Sequence, residues 1–198
     1  SDFYKRQITV AVNDGSSDYY FDSVADQTVS VTTADTDVAG FTKIESGGST
    51  TVAESGTTDT FTVVLDAQPT SNVVISVTSN DTTEATVSPS LLTFTSGNWD
   101  SAQTVTITGA DDNAVDGPQG PSTILSVVDG SSDAAFDAAS DQTVSVTTTD
   151  NDTASFTVVQ SGGSTSVAES GTTDTFTVVL GAQPTTDVTI SVSSGDTE

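Results

Sequence analysis

No cysteine, histidine or methionine occurs among the 198 residues, and Lys and Arg together number only three. Those absences exclude much chemistry. Without His or Cys there is no imidazole base, no thiolate nucleophile, no disulfide framework, and no zinc, haem or iron–sulfur site of the usual ligand types. With 28 Asp and Glu and a formal net charge of -25, the surface repels a phosphate backbone, which excludes nucleic acid as a partner. Long apolar runs are missing too. The longest are a few residues, too short to span a bilayer, and no signal peptide is visible. The chain looks like a fragment, so the lack of a leader carries little weight.

What is present is a pattern. Hydrophobic residues make up 33% and charged residues 16%, and the aliphatic ones are regularly placed, which a disordered acidic tail would not require. Self-comparison reveals a repeat: residues 39–83 return as 154–198 with 33 of 45 positions identical, and 13–38 return as 128–153 with 17 of 26 identical. Ser1 corresponds to Asp116 and Glu198 to Thr83. The organisation expected is the C-terminal part of one repeat at 1–38, a complete repeat at 39–153 and the N-terminal part of the next at 154–198. This is most simply a window on a longer tandem array.

Within the complete repeat, short runs rich in Val, Thr, Ile and Phe alternate with clusters of Gly, Pro, Asn and Asp. Strands are expected at 41–52 (interrupted at Gly47 and Gly48), 60–65, 73–78, 85–94 (broken at Pro89), 103–108, 123–128 and 143–148. No helical period competes. Seven strands in such a length predict an all-β fold of tandem immunoglobulin-like antiparallel β-sandwiches. Phe61, Val63, Leu65, Val105 and Ile107 are the expected inward residues, alternating with Thr and Ser whose hydroxyls can face water.

Successive strands of such a sandwich reverse direction. The first-to-second, third-to-fourth and fifth-to-sixth connections therefore share one pole with the exit of the seventh strand. Glu54, Asp81, Asp111, Asp112, Asp116, Asp150 and Asp152 all fall there. Two carboxylates about 4 Å apart repel by roughly 4 kcal/mol at an effective dielectric of 20, so a convergent set either stays apart or holds a cation. Hard oxygen donors select Ca²⁺; the alternative is that polar loops are simply acidic in an acidic protein. Position 12 counted from Asp112 is Thr123, not Glu, so there is no EF-hand loop, and glycine-rich nonapeptide repeats are absent. A site here must be assembled from separate loops.

The residues Val52-Ala53-Glu54 followed by Gly56, the run 61–65, Leu92-Thr93-Phe94 before Trp99, the run 105–108 leading into Asp111-Asp112, and the closing Asp150-Asn151-Asp152 together resemble the Calx-β domain of sodium–calcium exchangers and of many large bacterial surface proteins. The likeness covers the whole repeat and is strongest to the tandem repeats of giant secreted adhesins. It implies a Ca²⁺-binding sandwich, with Glu54, Asp81, Asp111, Asp112, Asp150 and Asp152 at ligand positions. Two departures stand out. The usual Asp-Gly-Thr-Ala after the third strand is Asn80-Asp81-Thr82-Thr83-Glu84, and Asp116-Gly117 stands where the family often carries further Glu.

Asp129, Asp133, Asp137 and Asp141 recur as Asp14, Asp18, Asp22 and Asp26 at the opposite pole. They are read either as turns braced by Asp side chains or as partners of Asp35 and Asp37 in sharing a cation across a junction. Phe136 and Phe21 are expected to plug the core, and Trp99 either covers the end of the sandwich or stacks on a sugar. Asn80-Asp81-Thr82 and Asn151-Asp152-Thr153 match the N-glycosylation pattern by coincidence. Lys5 and Arg6 have no evident role.

Functionally, the pattern reads as a stiff, calcium-rigidified spacer in an extracellular adhesin stalk or surface filament. Its partners are calcium, neighbouring repeats and like chains, with a cell-surface glycan or protein bound elsewhere in the full protein. A glycan- or protein-binding module is the alternative, as is a protomer assembling by strand complementation. An enzyme is not expected, since paired carboxylates need a cleft and this pattern offers loops.

Overall fold

Alternating apolar and hydroxyl residues build strands with one face to the core, most plainly at 61–65 and 73–77, and the computed structural model has thirteen strands among its described residues. It describes residues 3–13 and 15–195; Ser1, Asp14 and Glu198 lie outside them. Two compact units divide after Val38.

In the first, β1 (Phe3–Val10) pairs antiparallel with β2 (Gln27–Ala34), Phe3 opposite Ala34 and Val10 opposite Gln27. Asp18 accepts a hydrogen bond from Tyr20 N–H at 3.0 Å and opens a single 3-10 turn, Tyr19–Phe21. Phe21 is exposed, contrary to expectation. Its unit is one hairpin, with no facing sheet for the ring to enter.

In the second unit β3 (Phe41–Glu45), β5 (Thr58–Leu65), β9 (Gln103–Gly109) and β7 (Ala85–Ser88) form one sheet in the order β3-β5-β9-β7. The facing sheet runs β4-β11-β10-β6-β8, from β4 (Thr50–Ala53), β11 (Gln142–Thr149), β10 (Ser122–Val127), β6 (Val73–Ser79) and β8 (Leu91–Phe94). Every pairing is antiparallel except β4 with β11. This is the expected immunoglobulin-like sandwich, and the two interrupted strands explain themselves. At Gly47 (φ 64°) and Gly48 (φ 80°) the chain makes a left-handed turn that few other residues adopt and crosses from one sheet to the other. At Pro89, which cannot donate to a ladder, it crosses again between β7 and β8.

Phe61, Val63, Leu65, Val105 and Ile107 are buried as expected, facing Ile75, Val77, Leu92, Phe94 and Leu125 from the other sheet. Each such side chain contributes about 1.5–3 kcal/mol by leaving water. Phe136 plugs one end of this core, and Trp99 packs half-buried against it. Beyond the sandwich, β12 (Phe156–Gln160) and β13 (Phe176–Leu180) form an antiparallel hairpin that repeats β3 and β5. Among the described residues no helix is long and apolar enough to cross a membrane.

Candidate metal centre

The parallel pairing of β4 with β11 decides the geometry of the acidic pole. Val52 lies opposite Thr148 and Ala53 opposite Thr149, so the residues leaving the two strands travel together. Glu54 N–H donates to the Thr149 carbonyl at 3.1 Å, and its carboxylate Oε2 accepts from Asn151 N–H at 3.2 Å. Glu54 is only 1% exposed. Gly109, at the end of β9, brings the third element in. A Cβ there would meet the Ala53 carbonyl oxygen at 2.0 Å, so only glycine lets β9 deliver Asp111 and Asp112 beside Glu54.

Two groups of three carboxylates result, each with ligand oxygens within 4.8 Å of one another: Glu54, Asp112 and Asp152, and Glu84, Asp112 and Asp116. Asp112 belongs to both. Glu84, just before β7, is 8% exposed, with its carbonyl taken by Ala110 N–H at 2.9 Å. Its Oε2 is buried without a hydrogen-bond partner, and so is Oδ2 of Asp152.

Asp150 holds the loop instead of facing the cluster. Its Oδ2 accepts from Asp116 N–H at 3.1 Å and Gly117 N–H at 2.8 Å, and its Oδ1 from Asp152 N–H at 2.6 Å. These bonds, led by that of Gly117, keep its carboxyl below the ordinary range. Asp111 accepts from the Asn151 side-chain amide at 3.1 Å. Asp81 spends Oδ1 on Thr83, taking its N–H at 3.0 Å and its hydroxyl at 2.6 Å, and joins neither group. Of the seven expected residues, the structure therefore brings together Glu54, Asp112, Asp116 and Asp152, and leaves Asp81, Asp111 and Asp150 at the rim.

Desolvation raises the carboxyl of Glu54, reinforced by Asp150, Asp112 and Asp116 and opposed by the Asn151 bond. Glu84 is raised by desolvation and then by Asp116, Glu54, Asp81 and Asp112, and Asp152 by desolvation and then by Asp150, Asp111, Asp112 and Asp116. The charges perturbing these groups are all carboxylates. Lys43, the lone lysine or arginine of this unit, is paired with Glu45 at 2.8 Å on β3. Converging, unneutralised carboxylates, of which Glu54 and Glu84 are buried and Glu84 and Asp152 each keep an orphaned oxygen, are the donor set of a hard divalent cation, so the residues present fit Ca²⁺.

Sequence reasoning did not place Glu84 in the acidic cluster, although it stands at this pole one residue before buried Ala85. The opposite pole is organised by hydrogen bonds. Asp133 accepts from Thr70 N–H (2.6 Å) and hydroxyl (2.7 Å), Ser71 N–H (3.0 Å) and Ala135 N–H (3.0 Å), and its carboxyl is lowered to about 2, chiefly by the Thr70 hydroxyl. This is the braced turn, while Asp129, Asp137 and Asp141 are exposed. The Asn80 side-chain oxygen accepts from Ser122 N–H at 2.7 Å, tying that sequence pattern into the fold.

No protein-family model and no curated protein matches the chain. Solved structures do. The apo-form Calx CBD1 domain is 17% identical with a TM-score of 0.42 over 59% of this chain and 100% of its own length. Domains 1–6 of the surface layer protein SbsC are 18% identical with a TM-score of 0.41, covering 91% of this chain but 28% of that one. The E. coli chaperone DraB is 8% identical with a TM-score of 0.42, over 57% of each chain.

Proposed function

We propose that this chain is a structural segment of an extracellular adhesin stalk or surface filament, a stiff spacer whose sandwiches are rigidified by Ca²⁺. The observation that carries the reading is Glu84: a residue 8% exposed, with an orphaned carboxylate oxygen, beside Asp112 and Asp116, in a unit whose single lysine is paired with Glu45 instead. Such a charge is costly in water-free surroundings unless it takes up a proton or recruits a cation, and at neutral pH a cluster of five carboxylates favours the cation. Glu54, Glu84, Asp112, Asp116 and Asp152 supply the inner oxygens, and Asp81, Asp111 and Asp150 stand at the rim. Bound Ca²⁺ supplies the missing positive charge, tying the ends of β4, β9 and β11 to the start of β7.

The copied loops favour a spacer over a glycan- or protein-binding module, since a binding site would distinguish one repeat from the next. The near-absence of Lys and Arg keeps neighbouring rods apart and soluble. Dissociation measured by calorimetry, with the thermal midpoint followed in Ca²⁺ and in chelator, tests the reading. A ligand at 100 times its Kd adds about 2.7 kcal/mol, so an unchanged midpoint would remove calcium from the proposal.

A further inference from the structure

The loop between β9 and β10 has two working sides. Facing inward, Asp112 Oδ1 accepts from Ala114 N–H at 2.7 Å, pinning the middle of the loop to the carboxylate cluster. Facing outward, the residues on either side of Ala114 meet the turn that follows β13. Gln183 N–H donates to the Asn113 carbonyl at 2.6 Å, and Val115 N–H donates to the Gln183 carbonyl at 3.2 Å. Ala114 and Gln183 thus form a parallel bridge outside the main sheets. Beside it a recess of about 360 Å³ is lined by Val115 from the loop and by Phe156, Leu180 and Pro184 from the following repeat.

We infer that this two-bond backbone clamp is the interface between successive repeats, and that it sets the direction in which each sandwich leaves the one before it. The partner surface is the Ala-Gln-Pro turn of the next repeat. That turn is present in both copies, as Ala67-Gln68-Pro69 and Ala182-Gln183-Pro184. In the complete sandwich it lies at the pole opposite Asn113, Ala114 and Val115, because it joins β5 to β6 while they join β9 to β10. Among the described residues Gln68 makes no backbone–backbone bond, and its side chain is turned back to the Ser96 carbonyl at 2.8 Å. The complete sandwich therefore carries the loop at one pole and the turn at the other, the polarity a head-to-tail arrangement needs in order to propagate. Main-chain recognition also explains how the linker, 150–155, can be short and acidic without dictating the angle: the contact that fixes the angle is made elsewhere.

The clamp is separable from the calcium reading, because backbone bonds can be removed without touching a carboxylate. The protein has no cysteine, so a spin-label pair can be placed at exposed Thr104 and Thr157 in the full chain. Pulsed dipolar spectroscopy in Ca²⁺ should give one narrow distance distribution. Gln183→Pro, which deletes the donor to Asn113, should at least double its width. Val115→Pro should do the same from the loop side, and Gln183→Ala, which keeps both backbone bonds, should leave it unchanged. A distribution that stays narrow in both proline variants, or widens equally in Gln183→Ala, overturns the assignment. A second pair at Thr93 and Thr104, inside one sandwich, must hold its distance throughout, so that unfolding is not mistaken for a freed joint.

Discussion

Gly109 and Ala53 are in such close approach that a Cβ on the glycine would lie 2.0 Å from the alanine carbonyl oxygen. This contact draws the end of β9 against the end of β4, and with them the loop bearing Asp112 against Glu54. Gly109→Ala must push the two apart. Overpacking of this kind costs about 1–3 kcal/mol, and here the loss should appear twice, as a lower denaturation midpoint and as weaker calcium binding. A variant with wild-type affinity would mean that the close approach does not position the site.

Glu84→Gln should act with opposite signs on the two states. In chelator it removes a buried, repelled charge and raises the thermal midpoint, whereas calcium affinity falls by about tenfold or more, equivalent to about 1.4 kcal/mol. Asp81→Asn, at the rim and already engaged with Thr83, should change affinity less. Equal losses in the two variants would place Asp81 among the inner ligands.

The carboxyls of Glu54, Glu84 and Asp152 are raised in the folded state, so folding takes up protons there. Their contribution is fully present below the unfolded-state values and lost as pH rises through the folded ones. The metal-free protein should therefore become more stable as pH falls from neutrality toward the upper edge of the ordinary carboxyl range. With calcium bound the trend reverses, because protons displace the cation. Thermal melts at several pH values, with and without chelator, check both slopes; parallel slopes would contradict a shared site for proton and metal.

Asp133→Ala leaves the N–H groups of Thr70, Ser71 and Ala135 without their acceptor, and each lost bond costs about 1 kcal/mol at these part-buried positions. The variant should lose stability and keep its calcium affinity. Because this carboxyl titrates near 2, its contribution exists above the unfolded-state value and disappears as pH falls through about 2. Calcium binding that weakened with Asp133 would draw the opposite pole into the metal chemistry.

Much of the molecule was legible before any coordinates. Phe61, Val63 and Leu65 alternate with Thr and Val so regularly that only one face can seek the core, and the Gly47-Gly48 and Pro89 interruptions fell where the chain changes sheet. Period two is a local property, and local properties survive in a one-dimensional record. Antiparallel reversal also sends alternate loops to one pole by topology alone, which is why the acids could be grouped without distances.

Rank within that group belonged to the tertiary structure. Asp81, Asp150 and Asp152 look alike in sequence, yet Asp150 is consumed by three backbone N–H groups, Asp81 by Thr83, and Asp152 keeps a buried oxygen unpartnered. Glu84 joined them only because the Ala110 and Thr148 bonds to its carbonyl set it deep in the pole. Phe136 and Phe21 occupy the same place in the repeat and differ wholly in burial, because one has a facing sheet in its unit and the other does not. The sequence alone determined strand pattern, repeat and pole; burial and hydrogen-bond partnership, which arise from segments distant along the chain, decided which carboxylates remain free to bind.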